Sequence, residues 1–109
     1  MKPAVLRPRA KQDLSDRAIY DTIEAGERVG HAFLEAAVGA LAPIERMPGI
    51  GSSSVATLCN LPGLRAWGVK GFPVRWFYFE RDEELDIVRM LGERQDVAAN
   101  LATEPPQAV

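Results

Sequence analysis

The chain has 109 residues, 47% of them hydrophobic and 26% charged, the composition of one small globular domain and not of a disordered segment. A formal net charge of −2 argues against holding nucleic acid mainly by neutralising phosphates, because such domains usually carry a basic excess. Cys59 is the only cysteine and His31 the only histidine, which excludes an internal disulfide and a multi-cysteine zinc site.

Residues Ala4 to Arg9 mix apolar and basic side chains and run into Pro8, which predicts a short first strand. From Ala10, Leu14, Ala18, Ile19 and Ile23 recur at helical spacing, with Asp13, Asp16, Arg17 and Glu24 opposite them. That helix is expected to stop near Ala25-Gly26, where glycine serves as a cap. A second helix is expected from Glu27 to about Met47, its apolar stripe including Val29, Phe33, Ala37, Leu41 and Ile44. Pro43 should kink or break it between Gly39 and Pro43. The pair reads as an antiparallel helical hairpin. Pro48 to Ser54 is a loop by composition, and Val55 to Asn60 a brief helical turn. Three strands are then expected: Leu64 to Val69, Val74 to Arg81, and Leu85 to Leu91 after the polar turn Asp82-Glu83-Glu84. A short helix from Asp96 to Leu101 closes the domain. The predicted organisation is one α+β domain over residues 1–102, ordered β-α-α-β-β-β, with an antiparallel sheet packed on the hairpin. Residues 103–109 read as a flexible tail.

No apolar run approaches the length of a membrane span, and the N-terminus lacks a secretory signal, so the expected compartment is the cytoplasm, with no membrane partner. His31 has no ligand-spaced neighbour, Cys59 reads as a packing residue, and Gly49-x-Gly51 lacks the lysine of a phosphate loop. No metal, cofactor or catalytic residue is assigned.

Strand alternation sorts the remaining candidates. Arg65 and Trp67 share a face of their strand, as do Arg75, Phe77 and Phe79 of the next. Leu85, Ile87, Arg89 and Leu91 share a face of the last. Paired in register, Arg65, Arg75 and Arg89 would line one open face, with Arg94 just beyond. Such a basic, aromatic-edged concavity suits a carboxylate-bearing segment or a phosphate backbone. Against it stands the possibility that each arginine snorkels and pairs with a local acid such as Glu80, Asp82 or Glu84. Both faces of the sheet are apolar, which predicts a partner covering the second one.

From Val5 to Leu101 the sequence resembles the RelE/ParE toxin superfamily. The resemblance rests on Leu6-Arg7-Pro8-Arg9-Ala10-Lys11-Gln12-Asp13-Leu14, on Tyr20, on Phe33-Leu34 and on Met47-Pro48-Gly49-Ile50-Gly51. It continues through Leu61-Pro62-Gly63-Leu64-Arg65-Ala66-Trp67, Gly71-Phe72-Pro73, Phe77-Tyr78 and Asp86-Ile87-Val88-Arg89-Met90-Leu91. Where relatives commonly read Leu-His-Gly-x-Arg-Asp, this chain reads Leu91-Gly92-Glu93-Arg94-Gln95-Asp96, so Gly92 stands for the histidine and Gln95 for the arginine. Arg17 and Asp21 occupy first-helix positions that are usually apolar.

The resemblance implies the toxin component of a bacterial type II toxin–antitoxin system. RelE-like members cleave messenger RNA on the ribosome; ParE-like members inhibit DNA gyrase. This chain has no histidine or tyrosine after Tyr78 and hence no evident proton-transfer group in its C-terminal region. The expectation is therefore a ParE-type gyrase inhibitor that is not an enzyme, with a ribosome-dependent mRNA interferase, or a degenerate toxin that only binds antitoxin, as alternatives. A ParD-like antitoxin would be held by Phe33, Arg65, Trp67, Arg75, Phe77, Phe79, Arg89 and Leu91, and the target by Arg94, Gln95 and Asp96. Sequence-specific DNA binding by this chain alone is not expected.

Overall fold

A computed structural model describes residues 1–104. Strand β1 (Ala4–Leu6) is followed by helix α1 (Pro8–Ala25). The strand stops just before Pro8, as expected, and Pro8 opens α1, because at the first helical position its missing N–H is one the helix leaves unbonded anyway. Gly26, at φ 96°, ends α1 and donates its N–H to Thr22 O at 2.9 Å. Helix α2 (Glu27–Gly39) then runs back along α1. The two backbones approach so closely that a Cβ on Gly30 would collide with Thr22 Oγ1. The expected long second helix breaks into α2 and α3 (Leu41–Arg46). Pro43 causes this: its ring would meet the carbonyl four residues back, that of Gly39, and α2 stops there. Within the first turn of α3 its missing donor costs no hydrogen bond.

A single 3-10 turn (Pro48–Ile50) leads to α4 (Ser54–Cys59), then β2 (Arg65–Gly68), β3 (Val74–Glu80), β4 (Leu85–Gly92) and α5 (Val97–Ala102). The four strands lie in the order β1-β4-β3-β2. Hairpin connections fix β2, β3 and β4 antiparallel. The sheet is nonetheless mixed, since β1 pairs with β4 in parallel, Leu6 opposite Ile87. Strand β1 reaches that edge without a hairpin, so nothing forces the antiparallel arrangement that the sequence suggests.

One side of the sheet packs on the hairpin: Trp76, Tyr78, Leu85 and Ile87 meet Ala10, Phe33, Ala37 and Ile44. Trp76 buries its indole there and satisfies Nε1 by donating to Ala37 O at 2.9 Å. The other side carries Phe77, Phe79, Val88 and Leu91, which pack with Val55 of α4 and Leu101 of α5. The chain thus covers its own second face, and the apolar character of that face calls for no partner. Glu104 also belongs to the folded unit, its carboxylate buried 3.7 Å from Arg89 Nη1. Of the expected tail, 105–109 lie outside the described residues.

Strand β4 carries a bulge. Phe77 pairs with Arg89 but Tyr78 with Ile87, which leaves Val88 as the extra residue. The insertion inverts the alternation, so Arg89 and Leu91 turn to the face opposite Leu85 and Ile87. Those four residues do not share a face as simple periodicity predicts.

Candidate functional site

Pairing of Arg65 with Tyr78 and of Trp67 with Trp76 places both β2 side chains on the hairpin side of the sheet. Arg75 and Arg89, opposite Leu91 and Phe77, lie on the other side. The three arginines therefore do not line one face.

Each has a local structural task. Arg65 donates to Gly49 O at 3.2 Å and Gly51 O at 2.8 Å. Beside it the Tyr78 hydroxyl donates to Pro48 O at 2.6 Å and accepts from Gly51 N at 3.1 Å. Together they pin the Pro48–Ser52 loop to the sheet, and burial pushes the Tyr78 phenol above its ordinary pKa. Arg75, half-buried, stacks 5.1 Å from the Phe77 ring centroid. Arg89 is 3% exposed and forms a two-pronged pair with Asp13, Nε to Oδ2 at 2.7 Å and Nη2 to Oδ1 at 3.0 Å. Asp13 Oδ2 also accepts the Met90 N–H at 3.0 Å, next to the bulge.

Phe33, Phe77, Phe79 and Leu91 are core residues, all buried. With Arg89 they fill the interior, so these five predicted antitoxin contacts are not on the surface. Trp67 remains half-buried. In the turn after β4, Gln95 Oε1 accepts from Gly92 N at 2.7 Å, and Asp96 Oδ1 caps α5 by accepting from Ala99 N at 3.0 Å. Arg94 is exposed and makes no ion pair among the described residues.

Sequence reading passed over a buried cluster on Arg7, Arg81 and Asp86. Arg7 Nε and Nη2 reach Asp86 Oδ1 and Oδ2 at 2.9 and 2.8 Å, and Arg81 Nη2 reaches Oδ2 at 3.0 Å. Burial pushes the Asp86 carboxyl up, but the two guanidiniums overcome it and hold the group below the usual carboxylate range. The cluster ties β1 to β4 and to the turn before it, which is a structural role. Among the described residues no group of three or more His, Cys, Asp or Glu side chains could hold a metal ion. No helix there is long and apolar enough to cross a membrane.

Part of the exposed apolar surface lies on the hairpin. Ile19 and Ile23 are 56% and 76% exposed on α1, and Val38 is 55% exposed on α2. Beside them runs an apolar groove of about 490 Å³, floored by Leu14, Ala18 and Leu34, walled by Ile19 and Ile23, with Lys11 and Ser15 along it. The signal for it was present in the sequence: the apolar stripe of α1 is wider than one packed edge needs. Leu14 and Ala18 pack on the core while Ile19 and Ile23 stay outside.

No family model and no curated protein sequence matches the chain. Among solved structures, it is similar to a chain of the chromosomal ParDE TA system from P. aeruginosa. The TM-score is 0.73 at 18% identity, over 84% of this chain and 96% of that one. The mixed sheet on a helical hairpin is thus the fold of a chain from a ParDE system, the fold that the sequence resemblance implies.

Proposed function

We propose that this chain is the toxin of a type II toxin–antitoxin pair, held inactive by a ParD-like antitoxin whose amphipathic helix lies in the α1–α2 groove. The observation that carries this reading is the groove itself, on a fold shared over 96% of a chain from a ParDE TA system. From Lys11 to Ile23 the groove extends along about 18 Å of helix, room for about three turns of a partner helix that reads it through i, i+3, i+4 and i+7 anchors. Leu14, Ala18 and Leu34 would take the apolar anchors, and Lys11 an acid at one end. Trp67 of the edge strand β2 and Arg75 of the inner strand β3, both half-buried, remain available where a partner continues onto the sheet.

The target reading is inhibition of DNA gyrase without catalysis by the chain. In support, Tyr78 is the last tyrosine of the sequence, and its hydroxyl is engaged by Pro48 and Gly51. No histidine follows it, so the C-terminal half offers no imidazole or free phenol for proton transfer to RNA. Expression without antitoxin should stop replication, and purified protein should stabilise gyrase-cleaved plasmid in vitro. Codon-phased cuts in cellular messages would redirect the reading to ribosome-dependent RNA cleavage. Tight antitoxin binding with unimpaired growth would leave only the binding partner of an antitoxin.

A further inference from the structure

The outer face of the hairpin is complementary to itself. Gly30 of α2 sits against Thr22 of α1, and this contact sets the register of the two antiparallel helices. Leu34 then stands level with Ala18, Val38 with Leu14, and Glu27 with Ile23. At 3.6 residues per turn Glu27, Leu34 and Val38 share one side of α2, the side on which Leu34 lines the groove. Lys11 and Glu27, both exposed, therefore mark opposite ends of the groove and belong to opposite helices. The apolar side chains are divided in the same way, with the exposed Ile19 and Ile23 on α1 and Leu34 with the exposed Val38 on α2.

A two-fold axis perpendicular to this face, through the middle of the groove, exchanges both its ends and its helices. It lays α1 of one copy along α2 of a second copy. Ile19 and Ile23 then come down on Leu34 and Val38 of the second copy, and Lys11 comes over its Glu27. Each of these contacts occurs twice, as an isologous interface requires. On the outer flank the exposed Arg28 comes near the exposed Asp16 of the second copy. Glu35, also exposed, meets no cation across the contact and keeps its water at the rim.

We propose that the free chain associates as a two-fold homodimer through the α1–α2 face, with Ile19, Ile23 and Val38 at its centre and Lys11–Glu27 pairs at its ends. Two helices, each about 10 Å across over about 18 Å of length, give a footprint of about 400 Å² per copy. That is the size of a weak, reversible interface, and the expected dissociation constant is about 100 µM. The dimer does not rest on the toxin reading. A second copy and a partner helix exclude each other from the groove, so an antitoxin seated there would release monomers.

Sedimentation equilibrium of the full chain alone, from about 10 to about 500 µM, should fit a monomer–dimer equilibrium. Ile23→Glu should hold the chain monomeric over that range, with a circular dichroism melt near that of wild type because the side chain lies outside the core. Lys11→Glu should weaken the dimer about ten-fold, since it sets two pairs of like charges against each other. Adding Glu27→Lys to that variant restores both pairs with their signs exchanged, and should bring association back to within about two-fold of wild type. A chain that stays monomeric at the highest concentration would overturn the proposal and leave the groove to a helix of another protein. A dimer indifferent to Ile23→Glu, a double variant no tighter than Lys11→Glu, or growth beyond the dimer would overturn it equally. Because no antitoxin enters these measurements, their failure is distinct from a failure of the toxin–antitoxin reading.

Discussion

Arg89 carries its charge into a site 3% exposed, and the two oxygens of Asp13 make that tolerable by accepting both prongs of the guanidinium. Removing one partner would leave the other charged and dry. Arg89→Ala is expected to lower the unfolding free energy by about 3–5 kcal/mol, measured by urea denaturation. A loss within the range of ordinary surface substitutions would show that the pair contributes little. Asp86 makes a related case with a pH dependence. Its folded-state pKa is depressed below 3.8, so its contribution is present above that value and is lost as pH falls through the lower folded value. Wild type should therefore lose thermal stability in acid, below about the ordinary carboxylate pKa. Asp86→Asn should be less stable at neutral pH and flatter across that acid window. Parallel melting curves for the two proteins would refute the assignment. Both pairs were invisible in the sequence, because Asp13 and Arg89 are 76 residues apart, and Arg7 and Asp86 79 apart. Nothing local marks them as partners.

At the scale of elements, the boundaries follow from backbone chemistry that sequence carries openly. Pro8 opens α1, Gly26 closes it, and Pro43 stops α2 at Gly39. Helix α5 has six residues, too short to persist alone, and Asp96 caps it through the Ala99 N–H. Asp96→Ala should cost about 1 kcal/mol and raise hydrogen exchange first in Val97–Ala102. Exchange that rises uniformly over the chain would mean that α5 does not open as a separate unit. Since α5 covers part of the second sheet face, this loosening should also expose Leu101 and Leu91. The strand alternation was legible up to Val88 and then failed, because one extra residue inverts every side chain after it. A bulge leaves no compositional mark in Asp86-Ile87-Val88-Arg89-Met90, so the face of Arg89 and Leu91 could not be read in advance.

For the molecule as a whole, the candidate docking surface is the exposed apolar hairpin and not the sheet. The apolar second face, which suggested an external partner, is closed by α4 and α5 of the same chain. Ile19 and Ile23 are the large apolar side chains left in water beside a groove. The double variant Ile19→Glu, Ile23→Glu should therefore weaken antitoxin binding by about 100-fold or more, in line with the loss of two interface anchors. Its melting temperature should stay near wild type, because neither side chain packs in the core. Isothermal titration with the cognate antitoxin checks this, and undiminished affinity would place the antitoxin elsewhere.

Local rules determined the helical hairpin, the order of elements and the three hairpin-linked strands, because periodicity, prolines and glycines act over a few residues. What only the tertiary structure decided is which of the apolar and charged side chains remain outside. The parallel seat of β1, the bulge at Val88, and the closure of the second face by two short helices depend on contacts between segments distant in sequence. Those contacts bury Arg89 and the aromatics of β3, and they leave Ile19, Ile23, Tyr20 and Arg94 exposed on the surface.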